Sequence, residues 1–138
     1  MRLRMAIARL HRRLRPTRAG SGLTASEAAV LAAVVRAGRA SLAWLAEEEG
    51  LNPSMLSRVV RRLEEEGLVV RMVEPLDRRS AYVVPTPEGL RLQELIKAER
   101  AQILAGLLSQ MRPSERRRLE AALPLLEELA EALRGRTP

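Results

Sequence analysis

Five side chains that could engage an anion fall within nine residues of one another: Ser54, Ser57, Arg58, Arg61 and Arg62. A hydroxyl both donates and accepts a hydrogen bond. A guanidinium presents a planar fork of donors that matches a phosphate, or the paired O6 and N7 acceptors of guanine. At about 100° per residue, Leu56, Val59, Val60 and Leu63 share one side of a helix. Ser54, Arg58 and Arg61 take the opposite side, flanked by Ser57 and Arg62. The apolar side is expected to meet a core and the basic side a polyanion. Acids are absent from the basic side until Glu64-Glu65-Glu66 at the far end. A basic face on a single helix is often only solvated, so its neighbours decide between the two readings.

A second basic cluster lies in Pro75-Leu76-Asp77-Arg78-Arg79, between two short segments rich in β-branched residues, Leu68–Glu74 and Ser80–Thr86. Two strands around a polar tip predict a β-hairpin wing. An exposed basic tip suits the minor groove of DNA, whose negative potential attracts arginine. Asp77 is expected to orient Arg79 or to tie the tip to the preceding helix. An ordinary polar turn would have a similar composition, since Pro and Asp are common in turns.

Other chemistries find little support. The chain has no cysteine, which excludes disulfides, a thiol redox switch and the usual structural zinc sites. Its one histidine, His11, sits among arginines and reads as a solvated side chain. There is no Ser–His–acid set, no phosphate-binding glycine loop and no metal-ligand cluster, so neither an enzyme nor a cofactor is expected.

The elements that must position the two basic clusters follow from caps and breakers. Met1–Arg15 reads as a helix with a narrow stripe of Leu3, Ile7, Leu10 and Leu14. Pro16–Gly22 reads as a linker. Thr24-Ala25-Ser26-Glu27 is a capping box, and the helix it opens carries Ala28, Leu31, Ala32 and Val35 on one face and ends at Gly38. Ser41 caps a short helix, Leu42–Glu49, stopped by Gly50. Asn52 caps the next, with Pro53 at the first position, where a missing N–H costs nothing. Two helices joined through Gly50-Leu51-Asn52 have helix-turn-helix spacing. Thr86-Pro87 opens a long helix to about Gln110. A last one runs from Pro113 to Leu133 with apolar Leu119, Leu123, Leu126, Leu129 and Leu133.

The 138 residues suit one domain, and 46% of them are hydrophobic. With no Phe, one Trp (Trp44) and one Tyr (Tyr82), the core must be Leu, Val and Ala, which favours helices. The expected fold is mainly α with a small β-hairpin wing. The net charge of +7 favours nucleic acid or an acidic membrane surface. Nearly all of it is arginine, with Lys97 the only lysine; composition bias of the source genome would have the same effect. No signal peptide and no run of about 18 apolar residues is present, so a cytoplasmic protein without a membrane span is expected. The Arg-rich N-terminal helix could in principle lie on a membrane surface, but its stripe is narrow and lacks aromatics.

In order and spacing, several segments resemble the MarR (multiple antibiotic resistance regulator) family. They are Leu23-Thr24-Ala25-Ser26-Glu27, Asn52-Pro53-Ser54-Met55-Leu56-Ser57-Arg58, Leu63-Glu64-Glu65-Glu66-Gly67-Leu68-Val69, Asp77-Arg78-Arg79 and Thr86-Pro87-Glu88-Gly89. The resemblance spans nearly the whole chain. It implies a winged helix-turn-helix region over residues 23–86, with residues 1–22 and 87–138 supplying dimerisation helices. It also implies a homodimer on a pseudo-palindromic operator, usually as a repressor. The implied DNA-contacting set is Asn52 and Pro53, then Ser54, Met55, Ser57, Arg58, Arg61 and Arg62 in the major groove, with Asp77, Arg78 and Arg79 at the wing. The implied dimer contacts are Leu3, Ile7, Leu10, Leu14, Leu119, Leu123, Leu126, Leu129 and Leu133. A small phenolic or other anionic ligand that releases DNA is a further implication. The lack of Cys argues against a thiol-oxidation branch, the lack of a His/Asp/Glu cluster against a metal-sensing one. Three departures stand out. Trp44 takes the place of a polar residue and is expected to pack against a neighbour, the alternative being that it lines a pocket. Pro85 should put its strand end at an edge. Pro124 should kink the last helix. A winged helix that binds protein rather than DNA is the alternative; the retained arginines speak against it.

Overall fold

The computed structural model describes residues 1–15 and 21–134, except for the side chains of residues 77–80 and 134. The elements are α1 (Arg2–Arg13), α2 (Ala25–Ala37), β1 (Ala40–Ser41), α3 (Leu42–Glu49), α4 (Pro53–Glu65), β2 (Val69–Glu74), β3 (Asp77–Pro85), α5 (Pro87–Ser109) and α6 (Pro113–Arg134). They fall into two compact units, Met1–Ala101 and Gln102–Pro138. The linker expected at Pro16–Gly22 and the stop at Gly135 lie largely outside the described residues.

The expected caps form. Glu27 donates its N–H to Thr24 Oγ1 at 3.2 Å, and the Glu27 carboxylate accepts the Thr24 N–H at 2.8 Å, closing a capping box. Ser41 Oγ accepts from Trp44 N at 3.1 Å and Asn52 Oδ1 from Met55 N at 2.9 Å. Gly50 takes the left-handed φ of 61° that ends α3 and turns the chain sharply into α4. In the second unit, Glu115 receives the Arg112 N–H at 3.0 Å and the Arg112 guanidinium at 2.7 Å. These bonds hold its carboxyl below the usual range. The chain stays helical through Pro124.

The core of the first unit is aliphatic. Leu31, Leu45, Leu56, Leu63, Val30, Val34, Val60 and Val83 are its largest fully buried side chains. Helix α2 sits deeper than a single stripe implies. Val30, Ala33 and Val34 are buried beside Ala28 and Leu31, whereas the expected Ala32 and Val35 are only half-buried. A helix covered on several sides cannot display one clean apolar face.

The sheet has three strands in the order β1-β3-β2, all antiparallel, one more than a hairpin. Ala40 and Ser41 pair with Val83 and Tyr82. Two residues are too short a run to betray a strand by alternation. The turn itself is Pro75-Leu76, with Leu76 98% exposed. Asp77, Arg78 and Arg79 therefore begin β3 instead of forming the tip, because Glu74 pairs with Asp77 across a register shift at Val73/Glu74. The edge expected at Pro85 takes a particular form. Thr86 donates to the Leu68 carbonyl at 3.0 Å, so alternation aims the Pro85 nitrogen away from β2. It points to the side where β1, which reaches only Val83, has ended.

Candidate nucleic-acid interface

Helix α4 displays the basic face. Leu56, Val60 and Leu63 are fully buried, and Val59 packs half-buried against them. This fixes the rotation of the helix about its axis and turns Ser54, Met55, Arg58, Arg61 and Arg62 outward, with Ser57 half-buried at the margin. Asn52 and Pro53 are exposed at its start, where the Asn52 side chain is already engaged in capping.

The arginines are not equivalent. Arg62 pairs with Glu66 at 2.8 Å and Glu65 at 3.7 Å, so two of the three terminal acids are turned onto it. Arg58 and Arg61 have no ion pair among the described residues. Together with Val59, Arg62, Glu65 and Glu27 they line an open groove of about 350 Å³ beside the helix. Free guanidiniums at an exposed helix face can take phosphates or base edges without first breaking an internal pair.

The third acid, Glu64, acts on the sheet: its Oε1 accepts the Arg71 N–H at 3.0 Å. On the far side, the Arg39 guanidinium stacks 3.5 Å from the centroid of the Tyr82 ring and pairs with Glu74 at 2.6 Å. These contacts join the middle and outer part of the wing to the start of β1. Arg39, Glu64, Glu74 and Tyr82 were not legible as a set, since they combine residues up to 43 positions apart in sequence. The backbone of Asp77, Arg78 and Arg79 lies in β3; their side chains lie outside the described residues.

The first turn of α5 is locked to the end of the α4–β2 connection. Thr86 Oγ1 donates to the Gly67 carbonyl at 2.6 Å and accepts from Gly89 N at 3.1 Å. A Cβ on Gly89 would stand 2.1 Å from the Leu68 carbonyl oxygen. The Thr86-Pro87-Glu88-Gly89 segment is thus a docking joint that needs a side chain no larger than hydrogen.

The MarR family model matches residues 23–81, which spans the capping box, both helices of the turn and most of the wing. The HTH-type transcriptional regulator Mb0904 of Mycobacterium bovis is 30% identical over 129 residues, covering 94% of this chain and 90% of the relative. The chain belongs to the MarR family. A Pseudomonas aeruginosa protein assigned as a transcriptional regulator is 32% identical, with a TM-score of 0.76 over 94% of this chain and 92% of that one. The solved Multiple Antibiotic Resistance Repressor, MarR, shares the fold at 22% identity, with a TM-score of 0.78 over 92% of this chain and 91% of that one. In this MarR-family chain α3 and α4 are the helix-turn-helix, α4 occupies the place of the recognition helix, and β2–β3 is the wing.

The helices expected to dimerise leave their apolar side chains largely uncovered. No residue of α1 is buried. Leu3, Ile7 and Leu10 are 47–55% exposed, and Leu14 is half-buried. Along α6, Leu119, Leu123, Leu126, Leu129 and Leu133 are 38–59% exposed. Trp44 is 37% exposed, so packing covers only part of the ring. No helix among the described residues is long and apolar enough to cross a membrane.

Proposed function

We propose that this MarR-family protein is a sequence-specific DNA-binding transcriptional regulator that acts in the cytoplasm as a homodimer, represses from a pseudo-palindromic operator, and has no catalytic activity. The observation that carries the reading is the outward face of α4. Core packing turns Arg58 and Arg61 outward without an ion pair among the described residues, and the acids at the helix end are spent on Arg62 and the Arg71 amide. Ser54, Met55, Ser57, Arg58, Arg61 and Arg62 would read the major groove, with Asn52 and Pro53 at the helix entry. Arg79, with Arg78, would enter the minor groove, and Asp77 would orient them.

The uncovered leucines of α1 and α6 support a dimer, since a row of half-exposed apolar side chains gains stability by removal from water. A two-fold dimer matches a palindrome on one DNA face when its recognition helices stand about 34–36 Å apart. Release by a small phenolic or anionic ligand is proposed from the family resemblance alone.

The decisive experiment titrates the protein into DNA from upstream of its own coding region, beside an unrelated fragment of equal length, at several salt concentrations. Tighter binding to the upstream fragment that survives rising salt is the expected result. Absence of binding to either fragment at low salt would overturn the reading in favour of a protein-binding winged helix.

A further inference from the structure

In an antiparallel pair, alternate residues of an edge strand aim their N–H groups out of the sheet. Thr86 bonds to Leu68, so residues 68, 70 and 72 turn toward β3 while 69, 71 and 73 turn outward. Arg71 therefore has an edge N–H with no strand to receive it. Glu64 supplies the acceptor, at 3.0 Å, from the last turns of the recognition helix. Glu65 and Glu66, its neighbours, are committed to Arg62.

We propose that Glu64 is a positioning residue for DNA binding: by accepting the Arg71 amide it fixes the angle of the wing relative to α4, so that one approach of the protein engages both grooves. This rests on the reading that α4 and the wing both contact DNA. A hairpin of two strands is marginal by itself, and β1 braces only Tyr82 and Val83 of β3, on the far side of the sheet. At its root β2 is held to α4 by the Leu68 N–H on the Leu63 carbonyl at 2.9 Å and by the buried Leu68 and Val69; beyond that root, the Glu64 bond to Arg71 is the hydrogen bond that ties the strand to the helix. A carboxylate is otherwise a poor choice so near a phosphate backbone, since it repels the partner.

The charge and the hydrogen bond separate in two variants. Glu64→Gln keeps an acceptor oxygen and removes the charge; Glu64→Ala removes both. The proposal expects Glu64→Ala to weaken operator affinity by about three- to tenfold, the effect of one partly exposed charge-assisted hydrogen bond. It expects the salt dependence to flatten by about one phosphate equivalent as wing contacts are lost. Glu64→Gln should restore both. Amide exchange in the DNA-free protein reads the latch directly: Arg71 should exchange faster in Glu64→Ala than in wild type or Glu64→Gln, with the amides of α4 unchanged. Equal losses in both variants, or affinity and slope untouched in Glu64→Ala, would overturn the proposal. Failure of the wild-type protein to bind DNA would instead overturn the functional reading, and the exchange measurement would still show whether the latch exists.

Discussion

Replacing Gly89 by alanine should damage this protein more than a methyl group added at any other described glycine. The new Cβ would lie 2.1 Å from the Leu68 carbonyl oxygen, 3.0 Å from its carbon and 3.4 Å from Leu31 Cδ1. Two of the three atoms are backbone, so no side-chain rotation relieves the clash, and α5 must move off the turn after α4. Overpacking of a tight site costs about 1–3 kcal/mol. The shift also stretches the bonds from Thr86 to the Gly67 and Leu68 carbonyls, each worth about 1 kcal/mol. The sum is about 3–5 kcal/mol, or a fall in Tm of roughly 10–15 °C for a chain of this size. Urea denaturation followed by circular dichroism at fixed protein concentration would measure it, with Gly106→Ala as control. A Cβ at Gly106, in the same helix, meets nothing within 4 Å, and that change should stabilise by about 0.5–1 kcal/mol through helix propensity. A loss below about 1 kcal/mol for Gly89→Ala would refute the argument that this joint is rigid.

Arg58→Ala or Arg61→Ala should cost about 1–3 kcal/mol in operator affinity if the side chain is bidentate to a base, measured by fluorescence anisotropy; unchanged affinity in both would remove α4 from the interface. Arg79→Ala should weaken binding and reduce the salt slope by about one unit, and an unaltered slope with unaltered affinity would remove the wing. Leu126→Glu should shift the protein toward monomer in sedimentation, and an intact dimer would place the interface elsewhere. Burial raises the Glu49 carboxyl above its usual pKa, against the opposing pull of Arg36 and His11 and with the help of Glu48. The folded state then holds that proton to higher pH than the unfolded one, so stability falls as pH rises from the ordinary carboxylate value to the raised one. Glu49→Gln should therefore stabilise at neutral pH, with the gain fading below that window; thermal melts across pH would show an undiminished gain if the reasoning is wrong.

Legibility in the sequence followed the range of the interactions. Caps are local, and Thr24, Ser41, Asn52 and Thr86 all marked their helices because each side chain reaches an N–H only three residues on. The core stripe of α4 was readable because one side of that helix meets solvent. The stripe of α2 was not, because packing surrounds it. The strand β1 was missed since two residues carry no period, and its pairing depends on Val83, some forty residues away. A similar distance hid the Arg39–Tyr82–Glu74 cluster, whereas the Glu64–Arg71 contact, only seven residues apart, depends on how the chain turns from α4 into β2. The basic residues of α4 were legible as a face, but the division between free Arg58 and Arg61 and the paired Arg62 needed the geometry of Glu65 and Glu66.

The spareness of aromatic residues has a spectroscopic consequence. All indole absorption comes from Trp44, half-turned to solvent on the helix that precedes the recognition helix, and the only phenol, Tyr82, lies under a guanidinium midway along the wing. Excitation at the red edge of the protein band therefore interrogates α3 alone, in unmodified protein, with no second emitter to subtract. The chain carries its own optical probe a few residues from the surface offered to DNA.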